Sequence, residues 1–183
     1  MLLAAAMLGG GTAVAYARWA RPLVEADRAF RAGQTQAALD GYGAAERRFG
    51  RFAILRSLFA DEYASAVYNQ LALLYHAGKY DDVLEKASSA PPAAAPHFWS
   101  GLVLLNRAMA DKTPESRLLG LSRAEDELKQ ALQAAPDDWD TRFNYEIAAR
   151  LAAHLRQPPK QGDDPLRLLR PQPKTPQPSR RVG

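Results

Sequence analysis

Between Pro22 and Gln157 apolar side chains return every three or four positions in almost every segment, and no stretch alternates apolar with polar residues under β-branched enrichment. That pattern predicts an all-α body. Six helices are expected near 20–32, 35–48, 52–77, 80–89, 97–110 and 121–134, with a last one over 139–156. Their ends carry chemical signals. Gly33, Gly50 and Gly78 suit C-terminal positions, Pro91, Pro92, Pro96 and Pro136 stop a preceding helix, and Asp61, Ser122 or Asp138 can cap a following one.

The helices repeat imperfectly. The second member of each pair carries a small residue, a second position four later and a small one three after that: Ala38, Tyr42, Ala45; Val83, Ala87, Ala90; Ala124, Leu128, Ala131. Small side chains at those offsets let antiparallel helices approach closely. Tyr68 to Ala87, with its Gly78-Lys79-Tyr80 turn and the Asp81-Asp82 pair, resembles a tetratricopeptide repeat. Leu121 to Pro136 looks like the second helix of another, and Gly33 to Ala45 like a third. The resemblance implies a short array of helical hairpins over residues 21–156. Equivalent positions lie 45 and 41 residues apart (Ala38, Val83, Ala124), against about 34 in the standard unit. Insertions at 46–60 and 110–120 are expected to absorb the excess and make the array irregular, with Asp140 to Ala148 capping it.

The N-terminal stretch Met1–Ala17 has no charged side chain and runs into Arg18, Trp19 and Arg21, the flank of a membrane interface. Residues 1–20 are expected to form a membrane anchor or an uncleaved signal segment. Seventeen helical residues span about 26 Å, short of the roughly 30 Å hydrocarbon core unless Arg18 snorkels and Trp19 extends the span. Arg18, Arg21, Arg28 and Arg31 would keep the body cytoplasmic by the positive-inside rule.

Composition sharpens this picture. The chain has 183 residues, a formal charge of +4 and no cysteine, which excludes disulfides, thiolate metal sites and a cysteine nucleophile. The whole surplus lies in residues 157–183, where Lys160, Arg167, Arg170, Lys174, Arg180 and Arg181 outnumber Asp163 and Asp164, among seven of the 13 prolines. This segment is expected to be a disordered tail. Within it Leu166, Arg167, Leu168, Leu169 and Arg170 form an apolar and basic island suited to a short linear motif or a lipid headgroup contact. The electrically balanced body argues against a nucleic-acid surface, so none is expected. Nucleic-acid or anionic-lipid binding through the tail is the alternative function.

Sites of chemistry are missing from the pattern. His76, His97 and His154 lack metal-ligand spacing, so no metal or cofactor is expected. Asp137, Asp138 and Asp140 read as helix capping, and Glu125, Asp126 and Glu127 point around a solvated face. With no nucleophile, acid-base pair or phosphate loop, no enzyme is expected. The groove lined by the first helices of such an array suggests Asn69, Gln70, Asn106, Arg142 and Asn144 as partner-binding residues, unless they are simply exposed or capping. Trp99 with Phe98, and Trp139 with Phe143, are expected in the core.

A narrower resemblance follows from the apolar start, the repeat-like helices, the Arg142, Asn144, Glu146 run after Pro136, and the basic tail. Together they look like the small membrane accessory proteins of the MxaK type found alongside MoxR-type AAA ATPases and von Willebrand factor A proteins. That resemblance implies a single-pass protein with its helical domain on the periplasmic side. Its implied role is to support assembly or metal loading of an enzyme such as methanol dehydrogenase by holding proteins together.

Overall fold

The computed structural model describes residues 2–157, with side chains described from Tyr16 onward. Along them run α1 (Leu2–Arg31), α2 (Thr35–Gly50), α3 (Ala53–Leu58), α4 (Ala60–His76), α5 (Tyr80–Ala87), α6 (Pro96–Ala110), α7 (Pro114–Ala134) and α8 (Trp139–Arg156), with a 3-10 turn at Pro92–Ala94. No strand occurs among the described residues, and the chain is all-α. Among them, too, no helix is long and apolar enough to cross a membrane, so the spanning segment expected over residues 1–20 is unsupported.

Two of the expected glycine stops are built alike. Gly33 and Gly78 both have φ +72°. Around each, the next residue's N–H reaches back five positions (Gln34 to Ala29 O, Lys79 to Leu74 O, both 2.9 Å), closing a Schellman turn that only glycine adopts without strain. The same turn thus joins α1 to α2 and α4 to α5. The third hairpin uses a different device. Thr113 Oγ1 accepts from Ser116 N, Pro114 occupies the first helical position and Glu115 favours the positive end of the dipole. Consequently α7 starts at Pro114 and absorbs most of the segment expected as an insertion at 110–120. Asp138 caps α8 as expected, whereas Asp61 and Ser122 lie inside helices and Gly50 is the last right-handed residue of α2.

The helix expected over 52–77 breaks at Phe59, which leaves helical geometry (φ −117°, ψ 41°). Its ring joins Phe49, Tyr16 and Trp19 at centroid distances of 5.4, 6.1 and 6.4 Å. Pro22 has the opposite effect to the one its chemistry suggests, because α1 runs straight through it. Proline cannot donate to the carbonyl four residues back. That orphaned carbonyl, on Arg18, is taken by Arg48 Nη1 of α2 at 3.0 Å, and the Trp19 carbonyl is within 3.3 Å of the same nitrogen.

Each helix packs on its neighbour in the chain, α3 and α4 sharing the place after α2. The interior is accordingly a series of apolar clusters rather than one core. Ala26, Ala38, Tyr42 and Leu73 join α1, α2 and α4, and Ala45, Phe49 and Ala66 extend that contact. Val67, Leu71, Val83, Trp99 and Val103 join α4, α5 and α6, and Leu105, Leu121, Leu128, Ala148 and Leu151 join α6, α7 and α8. Eight of the nine repeat positions are buried, and Ala90 is half-buried. Polar ties cross the same seams. The Tyr42 hydroxyl donates to Asp27 at 2.7 Å, and its burial raises the phenol pKa beyond the ordinary range. Glu46 of α2 accepts from Gln70 of α4 (2.9 Å) and from Lys86 of α5 (2.8 Å).

Close helix approach is strictest at Gly101, where an added Cβ would lie 2.6 Å from Leu128 Cγ, a side chain with no exposure. Gly101→Ala is expected to lower unfolding free energy by about 1–3 kcal/mol in denaturant titration. Arg48→Met should cost about 0.5–1 kcal/mol by removing the bond to the exposed Arg18 carbonyl, and markedly less when combined with Pro22→Ala, which restores the helical donor. Strict additivity of the two changes would refute the rescue of that carbonyl.

Candidate functional site

A cleft of about 850 Å³ opens where α5 ends and α6, α7 and α8 converge. Local chemistry explains its shape. α5 has eight residues, and Pro91, Pro92 and Pro96 prevent the chain from continuing as a helix until α6 begins. The linker therefore crosses in extended and 3-10 conformation, leaving Glu127, Ala131 and Ala134 of α7 to line the cleft. Its floor is apolar: Leu84, Ala87, Ala90 and Ala95 on one side, Phe98 and Leu104 on the next, and Ala131 and Ala134 on α7. Ala95 sits at the lip with φ +51°, a left-handed conformation that costs an alanine about 1 kcal/mol or more. Strain of this kind in a non-glycine residue is held by its surroundings, here by Ala95 N donating to Pro92 O and Trp99 N donating to Ala95 O.

Polar groups stand along one edge. His97 Nδ1 and Glu127 Oε2 lie 2.8 Å apart and bridge α6 to α7. Asp138, Asp140 and Thr141 come from the start of α8, where Asp138 Oδ2 accepts from the Thr141 N–H at 2.9 Å and from its hydroxyl. Tyr68 of α4 faces them with its ring edge-on to Trp99 at 5.4 Å. Its phenol pKa is raised, first by burial and then by the charges of Asp138 and Asp140. The edge therefore carries three carboxylates and one imidazole and favours cationic groups. Among the described residues no three His, Cys, Asp or Glu side chains converge as a metal site.

None of the five residues expected to form the groove lines this cleft. Gln70 is buried and donates to Glu46 and to the Ala66 carbonyl, tying α2 to α4 rather than lining the cleft. Arg142 donates to the Pro136 carbonyl (2.6 Å) and Asn144 to the Asp140 carbonyl (2.8 Å), both serving the first turns of α8. Asn69 follows Tyr68 and is turned roughly 100° away from the cleft, and Asn106 lies roughly 200° round from Leu104. Trp99 is buried as expected, but Trp139 and Phe143 are 69% and 53% exposed, which removes them from the core.

Of the interface residues Arg18, Trp19 and Arg21, only Trp19 is packed against the body, and the two arginines are exposed. Trp19 is half-buried between Phe59 and the Arg48 guanidinium, which stands 5.6 Å from its ring, and Arg21 pairs with Glu25 at 2.7 Å. Leu166, Arg167, Leu168, Leu169 and Arg170 lie outside the described residues. The His97–Glu127 bridge had no sequence signal, because 30 residues separate its partners and each alone reads as solvated. Likewise Tyr68 is one apolar position among many until α8 folds beside it.

No family model, no curated protein and no solved structure matches the chain.

Asp138→Asn retains a good capping residue while removing a charge. The Tyr68 phenol is then expected to titrate at lower pH than in the parent, since one source of opposition to the phenolate is gone, yet above its ordinary value because burial persists. An NMR titration of the Tyr68 ring reads the shift, while the melting temperature should hardly move. An unchanged titration would separate Tyr68 electrostatically from α8.

Proposed function

We propose that the protein is a non-catalytic adaptor of the tetratricopeptide-like kind, tethered to a membrane through residues 1–20, that holds a segment of a partner protein in the cleft between α5, α6, α7 and the start of α8. The observation that carries this reading is the pairing, in one cleft of about 850 Å³, of an apolar floor with an edge of carboxylates from Glu127, Asp138 and Asp140. That volume falls in the upper part of the roughly 300–1,000 Å³ range of ligand sites. An extended peptide with small apolar side chains along one side and a basic residue on the other matches the surface in shape and charge.

The resemblance to MxaK-type accessory proteins supports a partner among MoxR-type ATPases or von Willebrand factor A proteins. In that setting the protein assists assembly or metal loading of an extracytoplasmic enzyme such as methanol dehydrogenase, with its helical domain on the periplasmic side.

A photo-crosslinking residue at Ser100, on the cleft wall, is expected to give one discrete adduct with such a partner in membranes carrying the full chain. The same residue at Asn106, on the other face of α6, should give none. Asp138→Lys combined with Asp140→Lys should weaken capture at least about tenfold, the equivalent of ~1.4 kcal/mol. Equal adducts from both positions, or capture indifferent to the charge reversal, would defeat the assignment.

A further inference from the structure

A second surface lies on residues that the cleft does not use. At the junction of α1, α2 and α3, Arg18, Arg47, Arg48 and Arg51 surround one hollow with Trp19. Arg21 continues this cationic rim along α1. Arg56 of α3 completes it, its Nη2 donating to the Gly50 carbonyl at 3.3 Å and its guanidinium 5.5 Å from the Tyr63 ring. The carboxylates nearby are fewer and mostly engaged. Glu25 pairs with Arg21, Glu62 accepts from the Tyr16 hydroxyl at 2.7 Å, and Asp61 lies in the first turn of α4. Beside the arginines stand Phe52, Ile54 and Leu58, exposed by 54%, 77% and 72%, and α3 has no buried residue at all.

α3 rests on α2 and α4, but its exposed apolar side chains are covered by no other described element. Its neighbours are arginines, whose guanidinium groups bind phosphate oxygens in bidentate fashion. Large apolar side chains projecting among phosphate-binding cations match the interfacial zone of an anionic bilayer. A nucleic acid offers phosphates but no medium into which Ile54 and Leu58 can sink. Continuity supplies the remaining argument. α1 extends N-terminally from this same junction through Leu2–Ala17, in which no residue is charged, so the face with the arginines is also the face from which the apolar part of α1 departs.

We propose that the α1–α2–α3 junction is a docking face for anionic phospholipid, with Phe52, Ile54 and Leu58 entering the acyl boundary and Arg47, Arg51 and Arg56 meeting headgroup phosphates. The face gives the body a second point of attachment, beyond residues 1–20 and separate from the C-terminal tail, and restrains it from swivelling about α1. It stands independently of the partner cleft, whose residues are all different.

The absence of cysteine makes a direct test available. Ile54→Cys introduces the chain's single thiol, which takes a nitroxide label in the full-length protein; Lys129→Cys, at an exposed position of α7, serves as the control. With vesicles of phosphatidylglycerol and phosphatidylcholine in equal parts, collision of the position-54 label with a water-soluble nickel chelate should fall several-fold while the control label stays accessible. With phosphatidylcholine alone, or after raising the salt, the protection should be lost. Arg47→Gln, Arg51→Gln and Arg56→Gln together should abolish it with helicity unchanged by circular dichroism. If that variant loses helicity, the salt and lipid comparisons on the parent decide the matter. A label that stays water-accessible in anionic vesicles overturns the proposal. So does equal protection in both lipids, which means apolar adsorption without headgroup recognition, and so does protection seen only when a protein or nucleic acid is added.

Discussion

The structure depends on how closely antiparallel helices approach one another. At Gly41 an added Cβ would stand 2.8 Å from the Ala26 Cβ, and at Gly101 it would collide with Leu128. Small residues at Ala38, Ala45, Ala108 and Ala124 complete seams in which backbone nearly meets backbone. Because each seam is satisfied by its own pair of helices, the interior becomes a chain of local clusters, each resting on the next.

Polar groups then fix how one pair sits on another. Glu46 ties three helices at once through Gln70 and Lys86, and His97 with Glu127 clamps α6 to α7. Arg48 is the most economical of these devices. It meets the carbonyl orphaned by Pro22, lies over Trp19, and in doing so presses the end of α2 against α1. The break at Phe59 follows from the same crowding, since its ring enters the aromatic cluster and turns α3 outward. Both surfaces of interest are by-products of packing: the cleft exists because α5 is short and its linker rich in proline, and the apolar face of α3 because Phe59 ends the helix.

Much of the helix pattern was legible beforehand. Gly33, Gly78 and Asp138 marked ends by chemistry acting within a few residues, and the spacing of Ala38, Tyr42, Ala45 and of Ala124, Leu128, Ala131 reported burial directly. Local signals were also overlooked, since Thr113-Pro114-Glu115 is a complete helix start hidden in what looked like an insertion. The residues that line the cleft were harder to read. Asn69, Asn106 and Asn144 sit on the helices anticipated for them but at other rotational positions, and one residue along a helix turns a side chain by about 100°.

From the sequence alone came the all-α class, the hairpin turns, the small-residue seams and the location of the excess charge, because each arises from interactions within a turn or two of helix. Tertiary structure alone decided that Gln70 is a buried tie, that Trp139 and Phe143 face outward, that His97 meets Glu127 and that Arg18, Arg47, Arg48 and Arg51 gather around Trp19. Those outcomes depend on the angle at which one helix pair rests on the next. That angle is set by the sum of many side-chain contacts across the seams, which no short stretch of sequence contains.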